Sequence, residues 1–256
     1  MVDHRPSEVA PDMATPLYRL TEDEAQNVIL TALDMRGFFS ALLLDGAPIV
    51  EMTGASLESE TRPQTFHDIE LEVIDVHGGV IGSYYVGDVD LLATQPSDQL
   101  GAVDLRLSFG GYRVEYPHAG EVWRRWASGR PTATGEWKDY LPDRHVSWLH
   151  VAQNAWFRSG HRPNRYSNEV RYTLDGSAVI DEASFYCAIG EAINGPGGYF
   201  GSNLDALADC LGNASADNSV LELVWTDAER SRRAFKPEFD AIVSVLQEFG
   251  VDVTLV

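Results

Sequence analysis

The hydrophobic period of this chain changes near residue 165, and that change restricts the fold more than any other feature. Before it, apolar residues recur at every second position: IELEV at 69–73 and VDLRLSF at 103–109 alternate, as strands with one buried face do. VIGSYYVGDVDLLA, from Val80 onward, continues as one or two strands. The pairs Gly78-Gly79 and Gly110-Gly111 read as hairpin turns, the second leading into YRVEY at 112–116. After the change, the strand-length runs VRYTL (170–174), VLELVW (220–225) and VDVTLV (251–256) are separated by helix-period segments. The expected fold is an α+β N-terminal domain with an antiparallel sheet, followed by an α/β C-terminal domain with a three-stranded parallel sheet and helices. Strands separated by helices require crossovers, and crossovers make neighbouring strands parallel.

The helices have recognisable ends. Asp181 can cap a helix whose apolar positions are Phe185, Ile189, Ala192 and Ile193, and Asn194-Gly195-Pro196-Gly197-Gly198 ends it. Pro237 suits the first residue of a helix with Phe239, Ile242, Val243, Leu246 and Phe249 on one face and Gly250 at its end. The mostly apolar VLELVW predicts a strand buried on both faces. In the N-terminal half, GEVWRRWAS and SWLHVAQNAWF predict helices whose Trp123, Trp126, Trp148 and Trp156 anchor against the sheet. Leu17–Phe39 fits a helix, with Thr21 and Glu24 as a capping box, or a strand through VILT at 28–31. FRSGHRPNRYSN at 157–168 reads as a linker. The expected organisation is a flexible tail at 1–16, a β-rich accessory domain with aromatic helices at 17–165, and a second domain at 166–256.

Thirty-nine Asp and Glu against 19 Lys and Arg give a formal charge of −20. Residues 168–256 hold −10 of it, fifteen acidic against five basic side chains, so acidity is concentrated toward the C-terminus. Such a charge repels nucleic acid and anionic lipid and attracts basic partners. No run reaches the roughly 18 apolar residues of a membrane span, and the first residues lack the regions of a signal peptide, so a cytoplasmic location is expected. Cys187 and Cys210 lie in apolar helical patterns and read as buried free thiols. His145 and His150 stand five apart with no acidic residue completing a metal triad, and no P-loop, GxSxG or dinucleotide fingerprint is present. No catalytic residue, metal or cofactor is assigned. Trp123 and Trp126 beside Arg124, Arg125 and Arg130 leave single-stranded nucleic acid binding, or an enzyme in the N-terminal domain, as an alternative.

YFGSNLDALADCL, residues 199–211, is the segment with functional content. At about 100° per residue, Leu204, Leu207 and Leu211 fall within about 60°, and Asp205 and Asp209 project about 140° to 180° from their centre. Two carboxylates four residues apart repel each other on a helix. A clamp for the Arg, Lys or His of a partner accounts for keeping them there.

Tyr199, Gly201, Asn203-Leu204-Asp205-Ala206-Leu207 and Asp209-Cys210-Leu211 resemble the central signature of the barstar family of intracellular ribonuclease inhibitors. The order of strands and helices from about 170 to 256, Trp225 at the end of the second strand, and Gly250, Asp252 and Thr254 agree with it. The resemblance implies an inhibitor that plugs the cationic active site of a cognate ribonuclease, such as a toxin, without chemistry or cofactor. It implies that Tyr199, Gly201, Asn203, Asp205, Ala208 and Asp209 form the partner-binding face, with Asp209 standing in for the substrate phosphate. Three positions depart from the family pattern. Ala208 replaces a tryptophan, Val245 aligns with a last-helix glutamate for which Glu248 or Asp240 could substitute, and the loop before Tyr199 is one residue longer.

Overall fold

The alternating segments become strands in the computed structural model, which describes residues 15–22, 27–40, 47–57, 65–111, 113–214 and 221–256. Seven antiparallel strands fill the N-terminal region: β1 (Tyr18–Glu22), β2 (Val28–Ala32), β3 (Asp34–Arg36), β4 (Ile49–Leu57), β5 (Thr65–Ile74), β6 (Val80–Pro96) and β7 (Val103–Phe109). Their order is β2-β1-β5-β6-β7-β4-β3, and β4 also pairs with β2 through Leu30↔Leu57 and Thr31↔Ser56. That second pairing closes the sheet on itself, so β2 and β4 cover each other's edges. Ile69, Leu71 and Val73 of β5 and Leu105 and Leu107 of β7 are buried at alternate positions.

The ambiguous Leu17–Phe39 segment forms β1, β2 and β3. Tyr18 and Leu20 pair with Val73 and Leu71 of β5, so sheet partners distant in sequence decide what local propensity leaves open. Residues 1–14 of the expected tail and Glu24 of the capping box lie outside the described residues. Gly78-Gly79 does turn the chain between β5 and β6. Gly110-Gly111 does not make a hairpin: their N–H groups donate to the carbonyls of Asp88 and Val86, extending the pairing with β6. Among the described residues of YRVEY, only Val114 forms a bridge, to Phe39.

The C-terminal segment contains β8 (Arg171–Asp175), α3 (Glu182–Asn194), α4 (Leu204–Ala214), β9 (Glu222–Thr226), α5 (Ala228–Phe235), α6 (Glu238–Glu248) and β10 (Asp252–Leu255). The three strands are parallel, in the order β10-β9-β8. Contrary to the sequence expectation, β9 is buried on one face only. Leu223 and Trp225 are inaccessible, Val224 is half-buried and Glu222 is exposed. Helices cover a single side of this sheet, so its strands alternate as half-solvated strands do.

Two helices of the N-terminal region, α1 (Ala119–Ala127) and α2 (His145–Arg158), lie between the two sheets. Trp123 anchors on the N-terminal sheet as expected, resting on Gly82 of β6, where an added Cβ would lie 2.2 Å from its ring. Trp126 lines a cleft with Val80 and Ile81 of β6 and also reaches the other way. It lies 6.1 Å from Trp148, and a Cβ on Gly197, in the loop after α3, would come within 2.9 Å of its ring. α2 packs on both β6 and α3, and α3 packs on β8, so one apolar core runs from Leu17 to Val251.

Glu72 of β5 is a carboxylate side chain only 1% exposed. Arg19 of β1 donates to it through Nε at 2.6 Å and Arg158 of α2 through Nη2 at 3.4 Å, tying strand to strand and strand to helix. Removing one partner of a buried ion pair leaves a desolvated charge, which costs about 3–5 kcal/mol. Arg19→Met is expected near the lower end, about 3 kcal/mol, because Arg158 still reaches the carboxylate. Urea unfolding of the full chain measures it.

Candidate functional site

α4 begins where its sequence says it should. The Asn203 side-chain oxygen accepts from the Ala206 N–H at 2.8 Å, satisfying one of the free donors of the first turn. Leu207, Cys210 and Leu211 are buried, and Leu204 is half-buried. Asp205 and Asp209 are exposed on the opposite face, and neither makes a hydrogen bond or ion pair with any described residue. Asp205 sits in the first turn, where the helix dipole favours an anion. Asp209, one turn further on, lacks that compensation.

Of the remaining predicted site residues, Asn203 is exposed and Ala208 half-buried between the two carboxylates. Gly201 is buried, with φ +99°, and a Cβ there would come 3.0 Å from the Leu207 backbone, so it is needed for the loop to meet the helix. Tyr199 is only 2% exposed. Its ring meets Phe157 of α2 edge-on at 5.4 Å, and its hydroxyl lies 3.5 Å from Ser202 Oγ. Burial pushes the Tyr199 hydroxyl pKa up, the Ser202 hydrogen bond opposes this, and the nearby Asp209 adds to the rise. Asn203, Asp205 and Asp209 are therefore exposed, whereas Tyr199 is covered by Phe157 of α2.

Two side chains in the last turn of α3 set this loop. Glu191, 4% exposed, accepts from the Gly135 N–H at 2.6 Å and the Gly197 N–H at 3.0 Å, joining the N-terminal region to the loop before Tyr199. Burial raises its carboxyl pKa against those two N–H groups. Asn194 donates to the Tyr199 carbonyl at 2.8 Å and to the Asn164 carbonyl at 3.0 Å, and accepts from the Tyr166 N–H at 2.9 Å. The sequence reading missed both residues. The signal was available: EASFYCAIGEAIN is apolar on nearly every side, and such a helix is enclosed on nearly every side.

The two residues suggested as substitutes for the last-helix glutamate differ. Asp240 lies 3.5 Å from Arg232 and 3.8 Å from Lys236, so its charge is engaged. Glu248 is exposed and has no such partner. Trp225 lies in the core, stacked on Phe185 at 5.1 Å and tilted against Phe239 at 4.6 Å. Both cysteines are buried free thiols, as expected, and burial pushes Cys210 up to about 12.

The family comparison selects this same stretch. Residues 170–253 match the family model described as Barstar (barnase inhibitor), from the start of β8 into β10. This segment is a Barstar domain. The region before it has no family assignment, and no curated protein matches the chain. The whole of α4, and the loop that α3 holds, lie inside the Barstar domain.

The N-terminal region offers a cleft of about 400 Å³ lined by Ser83, His150, Gln153, Asn154, Phe157 and Arg158. Trp123 Nε1 donates to the Tyr84 hydroxyl at 2.8 Å, and that hydroxyl is hydrogen-bonded to His150 Nε2 at 2.9 Å. Burial lowers the His150 pKa to about 4. Among the described residues no cluster of three or more His, Cys, Asp or Glu could hold a metal, and no helix is long and apolar enough to cross a membrane.

Two predictions concern the seam between the N-terminal region and the Barstar domain. Glu191→Gln replaces one acceptor oxygen with an amide donor, leaving a buried N–H of Gly135 or Gly197 unpaired, and should destabilise the chain by about 1–3 kcal/mol in urea titration. Lys138 pairs with Asp175 at 2.6 Å and, with Ser177, holds the Asp175 pKa down at about 2, below its ordinary 3.8. A depressed carboxyl stabilises the fold above pH 3.8 and loses that contribution as pH falls through about 2. Asp175→Asn should therefore lower Tm at pH 6 and converge with wild type near pH 2, by thermal scans across that range.

Proposed function

We propose that the chain is an immunity-type, cytoplasmic inhibitor of a barnase-type ribonuclease, a toxin being one such enzyme. It closes the cationic active site with the face of α4, by steric plugging and charge complementarity, and uses no cofactor. The observation that carries this reading is the pair Asp205 and Asp209, exposed on one face and without partners, inside the segment that matches Barstar. A ribonuclease site is cationic because it stabilises phosphate, and two preplaced carboxylates meet the same groups. The net charge of −20 also speeds the encounter with a basic enzyme.

The alternative, an enzyme or nucleic-acid-binding module in the N-terminal region, has less support. A His150 pKa of about 4 sets the Tyr84–His150 pair poorly for acid–base work at neutral pH. Trp123 and Trp126 are buried, unable to stack on bases, while Arg124 pairs with Asp34 and Arg125 with Glu136.

The test is titration of purified full-length chain into barnase, and into the ribonuclease fraction of the chain's own source, with RNA hydrolysis as readout. Stoichiometric inhibition is expected. Asp205→Ala with Asp209→Ala should weaken it by about a thousandfold or more, since truncating one side of a buried charged contact costs about 2–5 kcal/mol. Inhibition of none of these enzymes, or full inhibition by the double variant, overturns the reading.

A further inference from the structure

The aromatic side chain exposed beside the α4 face belongs to the N-terminal region. Tyr199 is 2% exposed, and Phe157, which covers it edge-on at 5.4 Å, is 41% exposed. The two regions are joined by side-chain hydrogen bonds here. Asn194 grips both the connecting segment and the Tyr199 carbonyl, and Asn213 of α4 donates to the Pro163 carbonyl at 3.0 Å. The Tyr199 hydroxyl lies 3.5 Å from Ser202 Oγ, next to the Asn203 cap, so Phe157 and Tyr199 adjoin the start of α4.

One turn before Phe157 on the same stripe of α2 is Gln153, half-buried at the wall of the 400 Å³ cleft and without a hydrogen-bond partner. The cleft floor is fixed, because Asn154 exchanges two hydrogen bonds with the Ser83 backbone at 3.1 and 3.0 Å. Arg158 at its rim shares the Glu72 carboxylate with Arg19.

We propose that Phe157 and Gln153 extend the α4 face into one continuous contact surface for the same basic partner. Phe157 supplies the aromatic contact that burial withholds from Tyr199. This inference rests on the ribonuclease-inhibitor reading. The occupant is a cationic protein because the adjoining α4 carboxylates are exposed and unpaired among the described residues. A side chain of the partner's active-site rim enters the cleft beside Gln153.

The experiment measures binding of full-length variants to barnase by stopped-flow and hydrogen exchange. Phe157→Ala should raise Kd about tenfold, through faster dissociation and with an unchanged salt dependence of association. Gln153→Arg, which places a cation against a basic partner without touching the core, should weaken binding at least as much. Tyr199→Phe should stay within about twofold, since its hydroxyl faces Ser202. Exchange protection is expected at both 153–157 and 205–209. If Phe157→Ala and Gln153→Arg bind like wild type while the Asp205, Asp209 double alanine variant loses binding, the contact ends at α4 and the inference fails alone. If neither barnase nor the ribonuclease fraction of the chain's own source is bound, or the double variant binds like wild type, the inhibitor reading fails and this inference falls with it.

Discussion

The burial of α3 between α2 on one side and β8 on the other is the constraint on which the rest of the architecture depends. A helix enclosed this way cannot leave either sheet without exposing Phe185, Tyr186, Ile189 and Ile193, all at most 2% exposed. Burying one such side chain is worth about 1.5–3 kcal/mol, so four outweigh every polar contact along the seam. Glu191 and Asn194 add direction to that packing. They turn the end of α3 into a bracket that fixes the loop before Tyr199 relative to the N-terminal region. The placement of Tyr199 under Phe157 follows from the bracket.

The close approach of α3 and its following loop requires glycine on both sides. A Cβ on Gly190 would lie 2.5 Å from the Gly198 carbonyl oxygen, and one on Gly198 would lie 2.7 Å from that of Gly190. Two side chains would push the loop away, and Glu191 would lose its contact with Gly197. The extra glycine-rich length before Tyr199, a departure from the family pattern, thus coincides with where the loop meets Trp126 of the N-terminal region. A sequence feature that looks like slack is occupied by a contact between the two parts of the chain.

What was legible in the sequence depended on how local its cause is. Asp181 as cap, the Leu207 and Leu211 stripe, and the outward pair Asp205 and Asp209 are set within a few residues, and each lies where its spacing puts it. The strand pairing of Tyr18 and Leu20, the alternation of β9 and the direction of Trp126 depend on partners distant in the chain. Periodicity carries no information about them. VLELVW looked buried on both faces because Val220 and Val224 are apolar, but burial is decided by what covers a face, and helices cover one side of that sheet. Tyr199 shows the same limit at the site itself: its position in the signature is local, and its burial comes from Phe157, more than forty residues earlier.

Magnitudes explain why α4 can keep two like charges. Two exposed carboxylates one helical turn apart, at about 6 Å, repel by about 0.7 kcal/mol in water, and such pairs cost about 0.2–0.5 kcal/mol on helices. Asp205 recovers about 0.3–1 kcal/mol from the helix N-terminus, so Asp209 bears most of the cost. A hydrogen bond from a partner's cation to either carboxylate returns about 1.5–3 kcal/mol. The free helix is therefore held only slightly above its best energy, and the face gains several times that amount when a cation arrives. Ala208, small and half-buried between the two acids, keeps the carboxylates open to that approach but provides no aromatic surface of its own. Tyr199 is buried as well, and the exposed ring that meets it is Phe157, near the end of α2.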